Sequence, residues 1–167
     1  DRAPEKTAAV DSLEDLAGGA ETIFLSLPDG PVTLAVARDL AALTERSVTH
    51  VIDLSTIGIE AAEEADRILG EADMVYIDAP VSGGQAGAKA GTITVMWSGP
   101  EDVMKSHRDV MMSFCKNLFH VGPKPGQGQA VKLLNNFLSA TAMTATSEAM
   151  VFAATQGLDM KAVLDVV

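Results

Sequence analysis

Apolar residues recur along this chain with two different periods, and the two alternate. "ETIFLSLP" is a short apolar run that closes on Pro28 and reads as a strand. "VTLAVARDLAALTER" then sets Leu34, Val36, Ala37, Leu40 and Leu43 on one broad stripe at helical spacing. "VTHVIDLST" is a second strand, and "IEAAEEADRILGEA" an acidic amphipathic helix that stops near Gly70. "MVYIDAPV" is a third strand, followed by a glycine-rich loop, "SGGQAGAKAG". "TITVMWSG" is a fourth strand, "PEDVMKSHRDVMMSF" one helix with Pro100 at its first turn, and "NLFHVG" a fifth short strand. This alternation predicts an α/β fold with a mostly parallel sheet and helices on both faces.

The pattern changes at "GPKPGQGQ", which is punctuation. The segment after it, "AVKLLNNFLSATAMTATSEAMVFAATQG", holds no Gly or Pro before Gly157 and would form one helix of about 40 Å at about 1.5 Å per residue. Its apolar and small residues lie nearly all round, so it is expected to be buried on most faces. "LDMKAVLDVV" begins another helix. A boundary near Lys124 follows: residues 1–123 form the sheet domain, and 124–167 the start of an all-α domain led by the long helix.

Composition narrows the choices. With 47% hydrophobic and 4% aromatic residues, the core must be built from Ala, Val, Leu, Ile and Met. The net charge of −11 argues against a nucleic-acid partner and reads as solubility. A single cysteine, Cys115, allows no disulfide within the chain and is expected to be a small core residue; a reducing, cytoplasmic setting is the default. "DRAPEKTAAV" is read as neither a signal peptide nor an anchor. The apolar stretch from Ala130 to Ala154 is interrupted by Lys132, Asn135, Asn136 and Glu148, so it is read as a buried helix and not as a membrane span.

Three places carry candidate chemistry. In "PVSGG", Gly83 and Gly84 leave their amides uncovered at the end of a strand, where open α/β sheets bind ligands. Consecutive amides there, with the Ser82 hydroxyl, form a nest for an anion such as a carboxylate. Taken alone, the same glycines are better explained by a tight turn that needs positive φ. Lys132 is the second candidate. Between Gln127 and Gln156 the other charged residue is Glu148, about 24 Å away along a helix, so the two cannot neutralise each other there. A lone lysine on a mostly buried helix must snorkel, find a partner or lower its pKa. Asn136, at i+4, shares its face, and amine and amide together make an acid/base and hydroxyl-binding pair. The third place is the ends of the first two strands. Leu27 and Pro28 would present backbone to a nucleotide, and Thr56 a hydroxyl; alternatively Pro28 only stops a strand, and Thr56 or Ser55 caps the next helix. His50, His107 and His120 show no metal-ligand spacing, and no metal is expected. There is no G-x-S-x-G elbow.

"DAPVSGGQAGAKAGTITVM" followed by "GQGQAVKLLNN", with "LPDG" and "VIDLST" in order upstream, resembles the β-hydroxyacid dehydrogenases, the group of 3-hydroxyisobutyrate dehydrogenase and tartronate semialdehyde reductase and, more distantly, 6-phosphogluconate dehydrogenase. The resemblance covers essentially the whole chain. It implies a Rossmann-like domain and hydride transfer between NAD or NADP and a small 3-hydroxy acid. It also implies that Ser82, Gly83 and Gly84 hold the substrate carboxylate, that Lys132 is the acid/base, and that Asn136 binds the reacting hydroxyl or carboxylate. Leu27, Pro28 and Thr56 would line the dinucleotide, together with Asp1 and Arg2. An acidic residue there favours the free ribose of NAD and an Arg the phosphate of NADP, so "DR" leaves the choice open with the balance toward NAD. A homo-oligomer through the helical part is expected.

The chain also departs from the family pattern. Its glycine-rich phosphate loop and first strand, and most of its helical domain with a further lysine, have no counterpart here; "GGQAGAKAG" precedes a strand and does not qualify. Trp97 stands where a small aliphatic residue is usual. The expectation is therefore a fragment, or an incompletely determined sequence, of a longer dehydrogenase. The rival reading is a non-catalytic dehydrogenase-like module for ligand binding or oligomerisation. A decarboxylating 6-phosphogluconate-type enzyme is a third, and would want basic residues for a phosphate.

Overall fold

The structure is a computed structural model and describes residues 7–167. It divides into two compact units, one ending at Lys132 and the other running Leu133–Val167.

The first unit is a six-stranded sheet with helices on both faces. Strands β1 (Thr22–Leu25), β2 (His50–Asp53) and β3 (Val75–Asp78) pair in parallel, with Leu25 opposite Asp53 and Asp53 opposite Asp78. Helix α1 (Leu13–Gly19) precedes β1, and α2 (Gly30–Ala42) and α3 (Ile59–Gly70) are the crossovers. The expected third strand is interrupted. After β3 the chain continues as a two-residue strand, β4 (Val81–Ser82), and both β3 and β4 pair antiparallel with β5 (Ile93–Ser98). Strand β6 (Cys115–Gly122) returns to a parallel pairing with β5.

Period-two alternation feeds two cores. Ile23, Leu25, Val51 and Tyr76 pack with Ala17, Ala37, Leu40, Ala62, Ala65 and Leu69 of α1–α3. Ile52 and Ile77 join Val95, Trp97, Met111 and Cys115 on the other side. Cys115 is buried, as expected, and so is Trp97. The stripe read on α2 faces the first core, with Ala37 and Leu40 fully buried and Leu34, Val36 and Leu43 half-buried.

Three local expectations are corrected. The glycine-rich loop contains a helix, α4 (Gly84–Ala90), because "QAGAKA" holds helix formers between glycines that start and stop it. The segment after Pro100 is two helices, α5 (Glu101–Ser106) and α6 (Arg108–Met112). They break at His107, whose ring accepts or donates a hydrogen bond with Thr22 (Nε2–Oγ1 2.9 Å) and lies against His50. Neither Ser55 nor Thr56 caps α3, because that helix starts later, at Ile59, with Gly58 as its N-cap and no side-chain cap.

The long helix, α7 (Gln127–Thr155), begins in the first unit. In the second unit it is followed by α8 (Met160–Val166), and the two line a shallow apolar groove of about 460 Å³. Within this chain the helix is not covered. Leu134, Phe137, Leu138, Met143, Val151 and Phe152 are all more than half exposed. α8 is a seven-residue helix and covers little of a 29-residue one.

Candidate active site

Three parallel strands end at one edge, and their exit segments carry the predicted cofactor residues. Leu27 and Pro28 follow β1, and Ser55–Gly58 follow β2. The Ser55 hydroxyl accepts a hydrogen bond from the Leu27 amide (2.8 Å), which ties the two exits together one residue before Thr56. Ser55 is itself held by Asp53 Oδ1, which accepts from its amide at 2.8 Å, while Asp53 Oδ2 accepts from the Tyr76 hydroxyl at 3.0 Å. Pro28 and Thr56 are exposed and Leu27 is half-buried. Leu27 and Pro28 thus offer apolar surface, and Thr56 a hydroxyl, at this edge. No glycine-rich strand-to-helix turn for a pyrophosphate lies among the described residues. Asp1 and Arg2 lie outside the described residues.

The third strand ends in a buried polar hub that the sequence did not disclose. Asp78 Oδ2 accepts hydrogen bonds from the amides of Gly126 (2.9 Å) and Gln129 (3.0 Å) and from the Ser98 hydroxyl (3.0 Å). Its Oδ1 accepts from Gln129 Nε2 at 2.7 Å. Ser98 Oγ in turn accepts from the Gly128 amide at 2.9 Å. Gln129 Nε2 also donates to the Ser55 carbonyl, and Gln129 Oε1 accepts from the amides of Ile57 (2.9 Å) and Gly58 (3.1 Å). Asp78, Ser98 and Gln129 are all fully buried. Burial raises the Asp78 carboxyl above the usual range, against the opposing pull of its four donors.

The glycines of "GQGQ" make this docking possible. Gly126 has φ +92°, and a Cβ on Gly128 would lie 2.7 Å from the Met96 carbonyl oxygen and 2.9 Å from that of Asp78. The first turn of α7 is thus pressed against the end of β3 and the middle of β5. Signals for the hub existed in the sequence: Asp53, Asp78 and Ser98 are polar residues at the ends of otherwise apolar runs, and Gln129 follows a glycine at the start of an apolar helix.

Lys132 lies three residues beyond Gln129, about 4.5 Å further along the helix axis. It is half-buried and forms no ion pair among the described residues, and burial lowers its pKa from the ordinary lysine value. An amine so placed is a better base near neutral pH than a solvated lysine.

Ser82 is four residues beyond Asp78, at most about 14 Å of extended chain. Gly83 and Gly84 both have positive φ, +127° and +58°, so the turn reading of these glycines is correct. Gly83 also packs against Ile93, whereas the space above Gly84 is open. The first hydrogen bond of α4 runs from the Gly87 amide to the Gly83 carbonyl, so the amides of Gly84, Gln85 and Ala86 precede it and have no intrahelical partner. They stand on exposed residues. Ser55, Asp78 and Gln129 thus tie the exit loops that carry Leu27, Pro28 and Thr56 to the helix turn that precedes Lys132. Asn136 is an exposed residue of the second unit. A separate cleft of about 630 Å³ beside α3, lined by Glu63, Asp66, Lys124 and Gln127 among others, contains none of these candidates.

Comparison with known proteins bears on this arrangement. Residues 1–122 match the family described as the NAD binding domain of 6-phosphogluconate dehydrogenase, and residues 126–167 that described as NAD-binding of NADP-dependent 3-hydroxyisobutyrate dehydrogenase. The chain is 34% identical over 161 residues to an NAD-dependent L-serine dehydrogenase of Pseudomonas aeruginosa, covering 95% of this chain and 54% of that protein. It is 31% identical to the 2-hydroxy-3-oxopropionate reductase of Escherichia coli, covering 90% and 52%. The 3-hydroxyisobutyrate dehydrogenase of Mycobacterium tuberculosis, solved with L-serine, superposes with a TM-score of 0.86 at 34% identity, covering 94% of this chain and 53% of that one. The chain therefore spans about half the length of the curated relatives it matches.

Proposed function

The chain belongs to the β-hydroxyacid dehydrogenase family, and we propose that it serves hydride transfer between NAD or NADP and a small 3-hydroxy acid of the 3-hydroxyisobutyrate or tartronate semialdehyde type. The observation that carries this reading is the position of Lys132. It is a half-buried lysine with a lowered pKa, one turn beyond a glutamine that binds both the β2 exit loop and Asp78. The names of the relatives support the substrate class, and the matched descriptions name both NAD and NADP.

The roles follow from the chemistry of each group. The nicotinamide, when bound, takes or gives the hydride. Lys132 as the free amine removes the hydroxyl proton during oxidation; as the ammonium it returns a proton to the oxygen during reduction. Ser82, Gly83 and Gly84 hold the substrate carboxylate with amides and a hydroxyl and so orient the reacting carbon. Asn136 binds the reacting hydroxyl or the carboxylate. Leu27, Pro28 and Thr56 line the dinucleotide with Asp1 and Arg2, whose pairing of acid and base keeps the preference between NAD and NADP open with the balance toward NAD. Residues 1–123 form the dinucleotide-binding part and 124–167 the start of the helical part, through which copies associate. The setting is cytoplasmic.

The test is Lys132→Ala in the full-length protein. Loss of a positioned acid/base lowers kcat by about 10² to 10⁴. Near-full turnover of the variant would overturn the assignment, and no binding of NAD or NADP by calorimetry would favour the non-catalytic reading.

A further inference from the structure

We propose that Gln129 is a positioning residue that couples the cofactor loop to the acid/base lysine, so that one side chain sets both together. The inference rests on the proposed role of Lys132 and on the place of Thr56 in the cofactor strip. It adds a residue that touches neither substrate nor cofactor.

The argument is one of donors and acceptors. Gln129 is fully buried, and its amide makes four hydrogen bonds, the most a carboxamide with two N–H donors and two carbonyl lone pairs can make. Its orientation is dictated. Ile57 and Gly58 present N–H groups, so only Oε1 can face them; Nε2 must then face the Ser55 carbonyl and Asp78 Oδ1. The amide cannot be turned over without opposing donor to donor at the loop and acceptor to acceptor at Ser55 and Asp78. Three of the four partners belong to Ser55–Gly58, the segment that carries Thr56 and, through the Ser55 hydroxyl, fixes Leu27. The fourth is the carboxylate that also holds the backbone of Gly126 and Gln129, and hence the first turn of α7. Lys132 is one turn further on the same helix. A shift of the loop therefore strains the Gln129 side chain, and a shift of the helix pulls on the loop. The side chain thus joins the loop to the carboxylate that holds the helix turn.

Two variants of the full-length protein test this. Gln129→Leu fills a similar volume and removes all four bonds. It is expected to raise the KM for NAD or NADP and to lower kcat by about 100-fold, the scale of a misplacement of about 1 Å, with a much smaller effect on the KM for the hydroxy acid. Gln129→Glu keeps the acceptor facing Ile57 and Gly58 but, when ionised, loses both donations and faces the Asp78 carboxylate. Protonation restores one donor, so in the reduction direction, where the Lys132 ammonium is the required form, this variant is expected to recover activity as pH falls, a new acidic limb absent from the unsubstituted protein. A merely structural role would lower the melting temperature without creating that limb.

Hydrogen exchange supplies a readout independent of turnover. In either variant the amides of Ile57 and Gly58 are expected to lose protection together with those of the first turn of α7, while α2 keeps its own. Unchanged exchange at Ile57 and Gly58, or loss there with the first turn of α7 unaffected, would overturn the coupling. The failure of the two readings is separable. Full activity of Lys132→Ala removes the lysine's role and leaves the exchange result to decide whether loop and helix are coupled. An inactive Lys132→Ala beside a Gln129→Leu with normal kcat and KM would remove the coupling alone.

Discussion

The two ends of α7 invert the usual rule for helices. At its start, Gly126, Gly128 and Gln129 are buried and the hydrogen-bond partners are polar: a carboxylate, a hydroxyl, a carbonyl and two loop amides. Beyond Lys132, apolar side chains such as Phe137, Met143 and Phe152 are exposed, at 67%, 70% and 65%. A fully satisfied buried network specifies one geometry, because each misalignment leaves a polar group unpaired. Apolar surface specifies no partner geometry; it only favours being covered. The start of the helix is thus suited to holding a reactive group in register. The remainder is suited to association, in keeping with the proposed oligomer.

The largest expected effect lies at the docked end. Gly128→Ala puts a Cβ 2.7 Å from the Met96 carbonyl oxygen and 2.9 Å from that of Asp78, both backbone atoms that cannot swing away. Overpacking of this kind costs about 1–3 kcal/mol, and displacement of Lys132 should lower kcat as well. The matched control is Gly157→Ala, just past the other end. Nothing lies within 4 Å of a Cβ there, and the position is merely left-handed, with φ +69°. That substitution should cost about 1–2 kcal/mol from the backbone alone and leave kcat unchanged. Denaturant melts and steady-state rates on both would break the comparison if Gly157→Ala lost turnover and Gly128→Ala did not.

A smaller effect is expected at the free end. The 167-residue chain should self-associate, and the double variant Met143→Lys with Phe152→Asp should weaken that association by at least about tenfold, or about 1.4 kcal/mol. The stability of the first unit should not change. Sedimentation over a range of concentrations checks this, and a chain that is monomeric throughout would show that the exposed apolar side chains are inert.

What the sequence disclosed follows the same division. Elements set by local periodicity were legible: the α2 stripe, the stop of α3 at Gly70, and the apolar strands that end at the binding edge. The proposed carriers of chemistry, Ser82–Gly84 and Lys132, stood out because glycine pairs and a solitary lysine are locally unusual. The hub was not. Asp78, Ser98 and Gln129 are separated by 20 and by 31 residues, and no local pattern shows that three isolated polar groups will satisfy one another. The β3–β4 interruption and the antiparallel β5 were missed for a related reason. A stretch of Gly and Ala is ambiguous between turn and helix until Ile93 and its neighbours pack against it. The long helix reads as one that needs partners these residues do not supply, and its apolar side chains are exposed: hydrophobicity reports a tendency to be covered, not the presence of a cover.

The smallest effect concerns pH, and it separates the two ends most finely. Burial is the cause that lowers the Lys132 pKa, so the shift depends on the docked turn keeping water away. Oxidation needs the free amine. Its rate should therefore rise with pH and level off above the Lys132 pKa, at a lower pH than a solvated lysine, whose value is about 10.4, would give. Reduction needs the ammonium and should fall as pH rises through the same point. Gly128→Ala, by loosening the turn, should admit water and move both limbs upward, toward the ordinary lysine value. Met143→Lys with Phe152→Asp lies 11 and 20 residues along the helix, more than about 16 Å away, where charges across water are largely screened at about 0.15 M salt. It should leave both limbs in place. Rate profiles in the two directions for the three proteins decide the matter. Limbs that move in the distant variant and not in Gly128→Ala would mean that something other than the docked turn sets the lysine's basicity.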